Sequence, residues 1–192
     1  MASAVTHAIF SLGLGKTFAR EERPFRFWML LMVCSILPDL DVIGFFFGGR
    51  YGDFWGHRGF SHSLLFAFFL SFLVLCLGFK DWVRFSKRWW RLWAFFFFVI
   101  STHGFLDALT DGGLGVAFFS PFDSSRYFLP WTPLKVSPIG LGLFFSSWGR
   151  EVLVSEIGWV WIPTFLLWAA VKGYQKIRYL RKKTASYRLV AG

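Results

Sequence analysis

Charge is scarce in this chain. Of its 192 residues only 17% are Asp, Glu, Lys or Arg, against about a quarter in an ordinary soluble domain, and so small a polar complement argues against a typical soluble fold. Acidic residues are scarcer still, 11 against 21 Lys and Arg, which leaves a formal charge of +10. Cysteine occurs twice, as Cys34 and Cys76 inside apolar runs, and without metal-site spacing the two read as small buried hydrophobes rather than a disulfide or a thiolate site. The opening "MASAVTHAIFSLGLGK" lacks the basic stretch that precedes the apolar core of a secretory signal, so no cleavable signal is expected. There is no internal repeat and no low-complexity linker.

What the chain has instead is apolar mass. Hydrophobic residues make up 55% and aromatics 22%, mean hydropathy is +0.50, and the apolar residues fall in blocks rather than at helical or strand period. Four blocks approach the roughly 17 to 25 residues that a spanning helix needs: 27–47, 60–79, 90–109 and the shorter 157–171. A fifth, 2–15, reads as a partial span or a buried N-terminal helix. The fold class expected is therefore all-α: a polytopic helical membrane protein with four main transmembrane helices and a short buried N-terminal helix, one domain over 1–171 and a basic tail over 172–192.

Basic residues would suit a nucleic-acid partner if clustered on one face. Here they flank apolar segments, as the positive-inside rule produces, and no nucleic acid is expected. The 80–91 loop carries Lys80, Arg84, Lys87, Arg88 and Arg91 against Asp81, and the tail carries seven Lys and Arg from Lys172 to Arg188 with no acid. Both should be cytoplasmic. Residues 16–26, with Lys16, Arg20, Arg23 and Arg26 against Glu21 and Glu22, belong on the same side. The connections 48–59 and 110–156 hold five basic and five acidic residues and read as external. At about 45 residues the second is long enough to be functional, and its aromatics suit a lid on the membrane surface.

Ionisable side chains inside apolar segments cost about 2.5 to 3.5 kcal/mol each and default to a functional role. The candidates are His7, Asp39, Asp41, His57, His62, His103, Asp107 and Asp111, a set that includes all four histidines. Measured from the nearest basic residue at about 1.5 Å per residue, they lie at roughly 14 Å (His7), 20 and 22 Å (Asp39, Asp41), 18 and 24 Å (His103, Asp107) and 27 Å (His62). In a hydrocarbon core about 30 Å thick these depths converge on the outer half. His103 and Asp107, four apart, share a helix face, and Pro38 favours a helix break just before Asp39 and Asp41. Imidazoles and carboxylates converging in this way suit Zn2+ or a similar divalent ion. Taken singly, each residue reads equally as a cap, a turn or an interfacial group, and a proton relay or transport path would use the same residue types.

The ordered motifs "THAIFSLGLG", "LPDLDVIGFFF", "HRGFSHSLL", "STHGFLDALTDGG" and "SPFDSSR" resemble the YdjM-like family of inner-membrane metal-dependent hydrolases, over residues 6 to about 140. That family looks distantly similar to the zinc-dependent phospholipase C and single-strand nuclease superfamily, all-helical enzymes that cleave phosphoesters with clustered zinc. The resemblance implies a bacterial inner-membrane location. It matches His103 and Asp107 to a helical HxxxD ligand pair, and carries over His7, Asp39, Asp41, His57 and His62 as ligands. Four histidines suit one or two ions rather than three.

On that reading a metal-bound water attacks a phosphoester, with Asp41 or Asp111 as general base. Arg58 and Arg126 are candidates to hold phosphate oxygens, or else to anchor to lipid headgroups. A site in the outer half of the bilayer favours a phospholipid or lipid-linked phosphoester as substrate. The competing expectations are a non-enzymatic membrane protein with a structural metal or His/Asp network, and a small transporter. The absence of an inverted repeat argues against the second.

Overall fold

The computed structural model describes residues 1–19 and 23–190, and among these the chain is helical, with no strand and two isolated bridges. Arg20, Glu21 and Glu22, part of the charge count above, lie outside the described residues, as do the last two residues of the tail.

Helix α1 (Ala4–Phe18) starts at Ser3, whose hydroxyl accepts from the Thr6 amide, the usual remedy for unpaired N–H groups in a first turn. It packs along α2 (Phe25–Ile36) and later along the C-terminal helix. Beyond α2 the chain tightens into an 11-residue 3-10 segment, Leu37–Phe47. Pro38, near its start, cannot donate the N–H that an α-helix would need. The segment stops at Gly48, whose φ of 81° is the left-handed cap a glycine supplies.

Helix α3 (Leu64–Gly78) is capped by Ser63, which accepts from the Phe66 amide. It pairs with α4 (Lys87–Ala108), capped by Ser86. After a long connection come a short turn of helix, α5 (Leu141–Phe144), then α6 (Ser147–Glu156), a π-turn at Ile157–Trp161 and α7 (Ile162–Val190).

The core lies where α2, α3 and α4 meet, around Phe27, Leu31, Leu75, Trp89, Phe96 and Val99, all essentially inaccessible. Outside it the molecule keeps large apolar side chains on its surface: Phe25, Phe46, Phe47, Phe122 and Phe145 are each at least 78% exposed. A soluble protein seldom tolerates that. Among the described residues two stretches are both long and apolar enough to cross a membrane, Phe25–Phe47 with mean hydropathy 2.0 and Ser147–Lys183 with 1.5.

Three expectations change. The 60–79 block opens with a 3-10 turn, Phe60–His62, and is α-helical only from Leu64, so α3 has 15 residues, roughly 22 Å; the Ser63 cap sets that start and leaves His62 outside the α-helix. The 90–109 block belongs to a helix of 22 residues, but Lys87, Arg88 and Arg91 fill its first turns and lower its hydropathy. The connection after α4 ends near residue 146 rather than 156, because α6 and α7 run on through Glu156. Glu156, counted from sequence among the acids of the external 110–156 connection, is fully buried.

Candidate metal centre

The 3-10 winding after Pro38 decides where its two carboxylates go. At three residues per turn, side chains two apart point about 120° apart, so Asp39 and Asp41 serve different neighbours. Asp39 faces the rings of His62 and His103, and Asp41 faces the loop that carries His57 and Ser61. The 3-10 run is far longer than the three or four residues usual for that winding.

The loop of residues 48–63 is wound tightly enough to need glycine. A Cβ on Gly56 would sit 2.3 Å from the Arg50 carbonyl oxygen, closer than any side chain permits. This winding directs His57 and His62 towards Asp41. Its carboxylate is surrounded by four donors: His57 Nδ1 at 2.7 Å, Ser61 Oγ at 2.6 Å, the Arg58 amide at 3.2 Å and His62 Nδ1 at 3.2 Å. Burial pushes the His57 imidazole below its ordinary pKa, against the opposing pull of Asp41.

On α4, His103 and Asp107 share one face, as their spacing of four dictates. His103 Nδ1 donates to the Ser35 carbonyl at 2.7 Å, so Nδ1 carries the hydrogen and Nε2 presents a lone pair. His62 Nδ1, facing Asp41, is fixed in the same tautomer. The two Nε2 atoms then meet at 3.0 Å. Asp39 Oδ1 lies 3.5 Å from His62 Nε2 and 3.4 Å from His103 Nε2, and Asp107 Oδ2 lies 3.3 and 3.9 Å from the same two atoms.

These distances test the fit of a metal. Zn–N and Zn–O bonds of about 2.0 to 2.1 Å in a tetrahedron place ligand atoms about 3.3 Å apart, close to the separations found. Both oxygens of Asp39 and Oδ2 of Asp107 are buried without a hydrogen-bond partner, a condition rare in folded proteins. Three carboxylates, Asp39, Asp41 and Asp107, meet here with one guanidinium, that of Arg58. An excess of carboxylate side chains over guanidinium suits a divalent cation, since buried charge is tolerated only when compensated. Asp39, His62, His103 and Asp107 thus form a donor set that fits a metal ion, and Asp41, His57 and His62 form a second, adjoining group. In the second, His62 Nδ1 is already engaged by Asp41, which makes Asp41 an orienting partner in the manner of carboxylate–histidine–metal triads.

The structure brings His7 to the same place. Its ring stacks on His103 with centroids 3.8 Å apart, and Nε2 lies 3.3 Å from Asp107 Oδ1 and 4.0 Å from Asp39 Oδ2. His7, Asp39, Asp41, His57, His62, His103 and Asp107 are therefore one cluster, drawn from α1, the 3-10 segment, the 48–63 loop and α4. Arg58 joins it as an anchor. Fully buried at φ 61°, it places Nε 3.4 Å from Asp107 Oδ2, while Nη1 donates to the Gly112 carbonyl and Nη2 to Thr110 Oγ1. Its guanidinium is spent on the protein, so it does not stand open to a phosphate.

The structure does not bring Arg126 or Asp111 into the donor set. Arg126 donates to the backbone carbonyls of Tyr51, Asp53 and His57 and so braces the loop from outside. Asp111 accepts from Lys135 Nζ at 2.8 Å and from the Val136 amide at 2.9 Å. Burial raises its pKa, but the Lys135 and Val136 hydrogen bonds outweigh that and hold it below the usual carboxylate range. It ties the loop after α4 together.

Glu156 was not singled out from the sequence. It accepts from the Ser3 amide, from Ser3 Oγ at 2.6 Å and from Thr6 Oγ1 at 2.8 Å, while Trp161 Nε1 donates to that Thr6 hydroxyl at 2.7 Å. Those contacts fix the first turn of α1, one residue short of His7. The available signal was an acid immediately before the apolar run "IGWVW", with no basic residue nearby to pair it.

The model of the YdjM inner membrane protein family matches residues 1–179. The chain belongs to that family. A relative, the inner membrane protein YbcI of Escherichia coli (strain K12), is 38% identical over 167 residues, covering 87% of this chain and 95% of the relative. No solved structure matches. Membership in a family of inner membrane proteins accounts for the exposed phenylalanines and the two long apolar stretches. The "STHGFLDAL" and "HRGFSH" motifs supply His57, His62, His103 and Asp107 of the cluster.

Proposed function

We propose that this protein is a membrane-embedded, metal-dependent hydrolase that acts on a phosphoester of a lipid or lipid-linked substrate. One observation carries the reading: two imidazole Nε2 atoms 3.0 Å apart, flanked by two carboxylates with unpartnered oxygens. His62, His103, Asp39 and Asp107 hold the ion, most simply Zn2+, and His7, with the second oxygens of the two carboxylates, extends the site towards a second. Such an ion supplies a bound water acidified towards pKa 7 and an electrophile for a phosphoryl oxygen. With a single ion bound, Asp39 Oδ2, unpartnered by the protein, would be free to accept a proton; with two it would be a ligand instead. Asp41 holds His57 and His62 in their tautomers, and Arg58 offsets part of the carboxylate charge.

The lipid substrate rests on the surroundings. An apolar groove of about 420 Å3, lined by Leu64, Leu65, Phe68, Phe97, Phe118 and Phe122, begins two residues after His62. An acyl chain suits it, with the headgroup towards the cluster. The topology proposed with this function has four crossings, the basic tail in the cytoplasm and the cluster in the outer half of the bilayer, as the basic loops direct.

A second reading has a specific observation behind it. Every side chain of the cluster is nearly inaccessible, with none of His7, Asp39, His57, His62, His103 and Asp107 more than 5% exposed, which suits a metal that clamps four segments together without turnover. Metal analysis of the purified protein beside hydrolysis assays on a phospholipid panel separates the two. Stoichiometric metal with turnover that both vanish in His103→Ala supports the hydrolase. Stoichiometric metal without turnover, and a chelator that unfolds the protein, supports the clamp, and a wild type without metal defeats both.

A further inference from the structure

The metal centre has no open mouth. With its histidines and the carboxylates of Asp39 and Asp107 at most 5% exposed, anything that reaches the cluster from outside must first move part of its cover. Helices are costly to move. The movable part is loop: residues 48–63, which carry His57 and His62, and the segment that follows α4.

That segment folds back on itself where Val116 and Tyr127 form an antiparallel bridge. Its base lies on the cluster, since Val116, Phe118 and the His62 carbonyl all close on Gly104, the residue after His103. The Ala117 amide donates to the Arg58 carbonyl at 3.0 Å and the Leu64 amide to the Phe118 carbonyl at 3.0 Å. The tip carries the exposed Phe119 and Phe122, which also wall the 420 Å3 groove.

Arg126 fastens this segment to the loop beneath it. Nη1 donates to the His57 carbonyl at 2.8 Å, and Nη2 to the carbonyls of Tyr51 and Asp53 at 3.0 and 3.3 Å. The guanidinium also lies 5.8 Å from the centre of the Tyr51 ring, which stands edge-on to the His57 imidazole at 5.2 Å. All three hydrogen-bond partners are neutral carbonyls. Such a tie is strengthened by the charge of its donor, yet water satisfies both ends when it opens. Ahead of the segment stand Gly113 and Gly115, at φ 91° and 80°. Glycine takes either sign of φ at little cost, and a few such residues absorb the rotations of a hinge.

We propose that residues 116–127 are a lid on the cluster and that Arg126 is its latch. The proposal concerns access, and it stands whether or not the site hydrolyses anything. A latch sets how often the lid opens. It therefore governs the rates at which the site exchanges with its surroundings, and leaves the affinity of the closed site as it was.

The full chain in phosphatidylcholine nanodiscs provides the test. All four histidines of the protein lie in the cluster, so their carbethoxylation by diethyl pyrocarbonate, followed residue by residue by mass spectrometry, reads access without any metal. After chelation, Arg126→Met should react at these histidines at least about tenfold faster than wild type, the loss of one charge-assisted hydrogen bond. An Arg150→Gln control on α6 should react as wild type does. Given Zn2+, Arg126→Met should take up and release the ion faster by one common factor, at an unchanged Kd. A weaker Kd with unmatched rates would make Arg126 a structural brace and overturn the latch. An unchanged reaction rate in Arg126→Met, or an equal acceleration in the control, overturns it too. A wild type that binds no Zn2+ defeats the metal reading of the cluster, and carbethoxylation then decides the lid by itself. Should Arg126→Met fail to fold, Arg126→Lys keeps the charge without the fork that spans three carbonyls: faster reaction there supports the latch, and a wild-type rate overturns it.

Discussion

His62 and His103 present their Nε2 atoms to each other at 3.0 Å, although each ring has its Nδ1 hydrogen committed elsewhere, to Asp41 and to the Ser35 carbonyl. With both hydrogens on Nδ1 the two Nε2 atoms oppose lone pair to lone pair, and a cation between them turns repulsion into attraction. A shared proton would serve two nitrogens. A metal ion also serves the flanking oxygens of Asp39 and Asp107, which no protein donor satisfies.

If Asp41 orients the histidines rather than ligating, Asp41→Asn should weaken metal binding without abolishing it. The amide turns one of two acceptor oxygens into a donor that faces His57, Ser61 or His62. Loss of such an orienting carboxylate costs about 10- to 100-fold in metal affinity. Competition against a chromogenic chelator measures this. Complete loss of metal would make Asp41 a ligand, and unchanged affinity would remove it from the site.

Asp111→Asn separates the geometry from the expectation of a general base. Its ion pair with Lys135 is solvent-exposed, with side chains 32% and 55% accessible, and such pairs are worth at most about 1 kcal/mol. The variant should therefore keep its metal and any turnover, and lose only a little thermal stability. A fall in turnover of 100-fold or more, the size of general-base catalysis, would restore the catalytic role.

The cluster was legible because its parts obey local rules. His103 and Asp107 announce a shared helix face by their spacing, Pro38 announces a break, and counting along each helix brings distant segments to one depth. His62 was misplaced inside a helix because hydropathy sees composition and not the hydroxyl of Ser63, which starts α3 after it. The bonds of Asp111 to Lys135 and of Glu156 to Ser3 join residues 24 and 153 positions apart. No local pattern encodes such pairs, so Asp111 read as a site residue and Glu156 as a loop acid.

Glu156→Gln should show that this pair supports the metal centre. The substitution keeps the shape but offers one acceptor where the Ser3 amide, the Ser3 hydroxyl and the Thr6 hydroxyl now donate to two oxygens. An unsatisfied buried donor costs about 1 to 3 kcal/mol, which thermal unfolding in detergent would register. Because the freed turn of α1 leads directly into His7, metal affinity should fall with it. A stability loss with unchanged affinity would confine Glu156 to the fold and leave His7 independent of it.

Gly104→Ala sets two forces against each other with opposite signs. Helix propensity alone predicts that alanine in the interior of α4 stabilises by about 1 kcal/mol. A Cβ on Gly104, however, would lie 2.9 Å from the His62 carbonyl oxygen, 3.2 Å from the Phe118 ring and 3.3 Å from Val116. The oxygen is backbone and cannot swing aside, so the 3-10 turn that carries His62 must shift away from α4. His103, one residue before the glycine, would then lose its fixed approach to His62. The variant should unfold at a lower temperature and bind metal more weakly, although no ligand atom has changed. Higher stability with wild-type metal affinity would show that the turn has room to move, and that the 3.0 Å approach of the two histidines is not enforced by this helix contact.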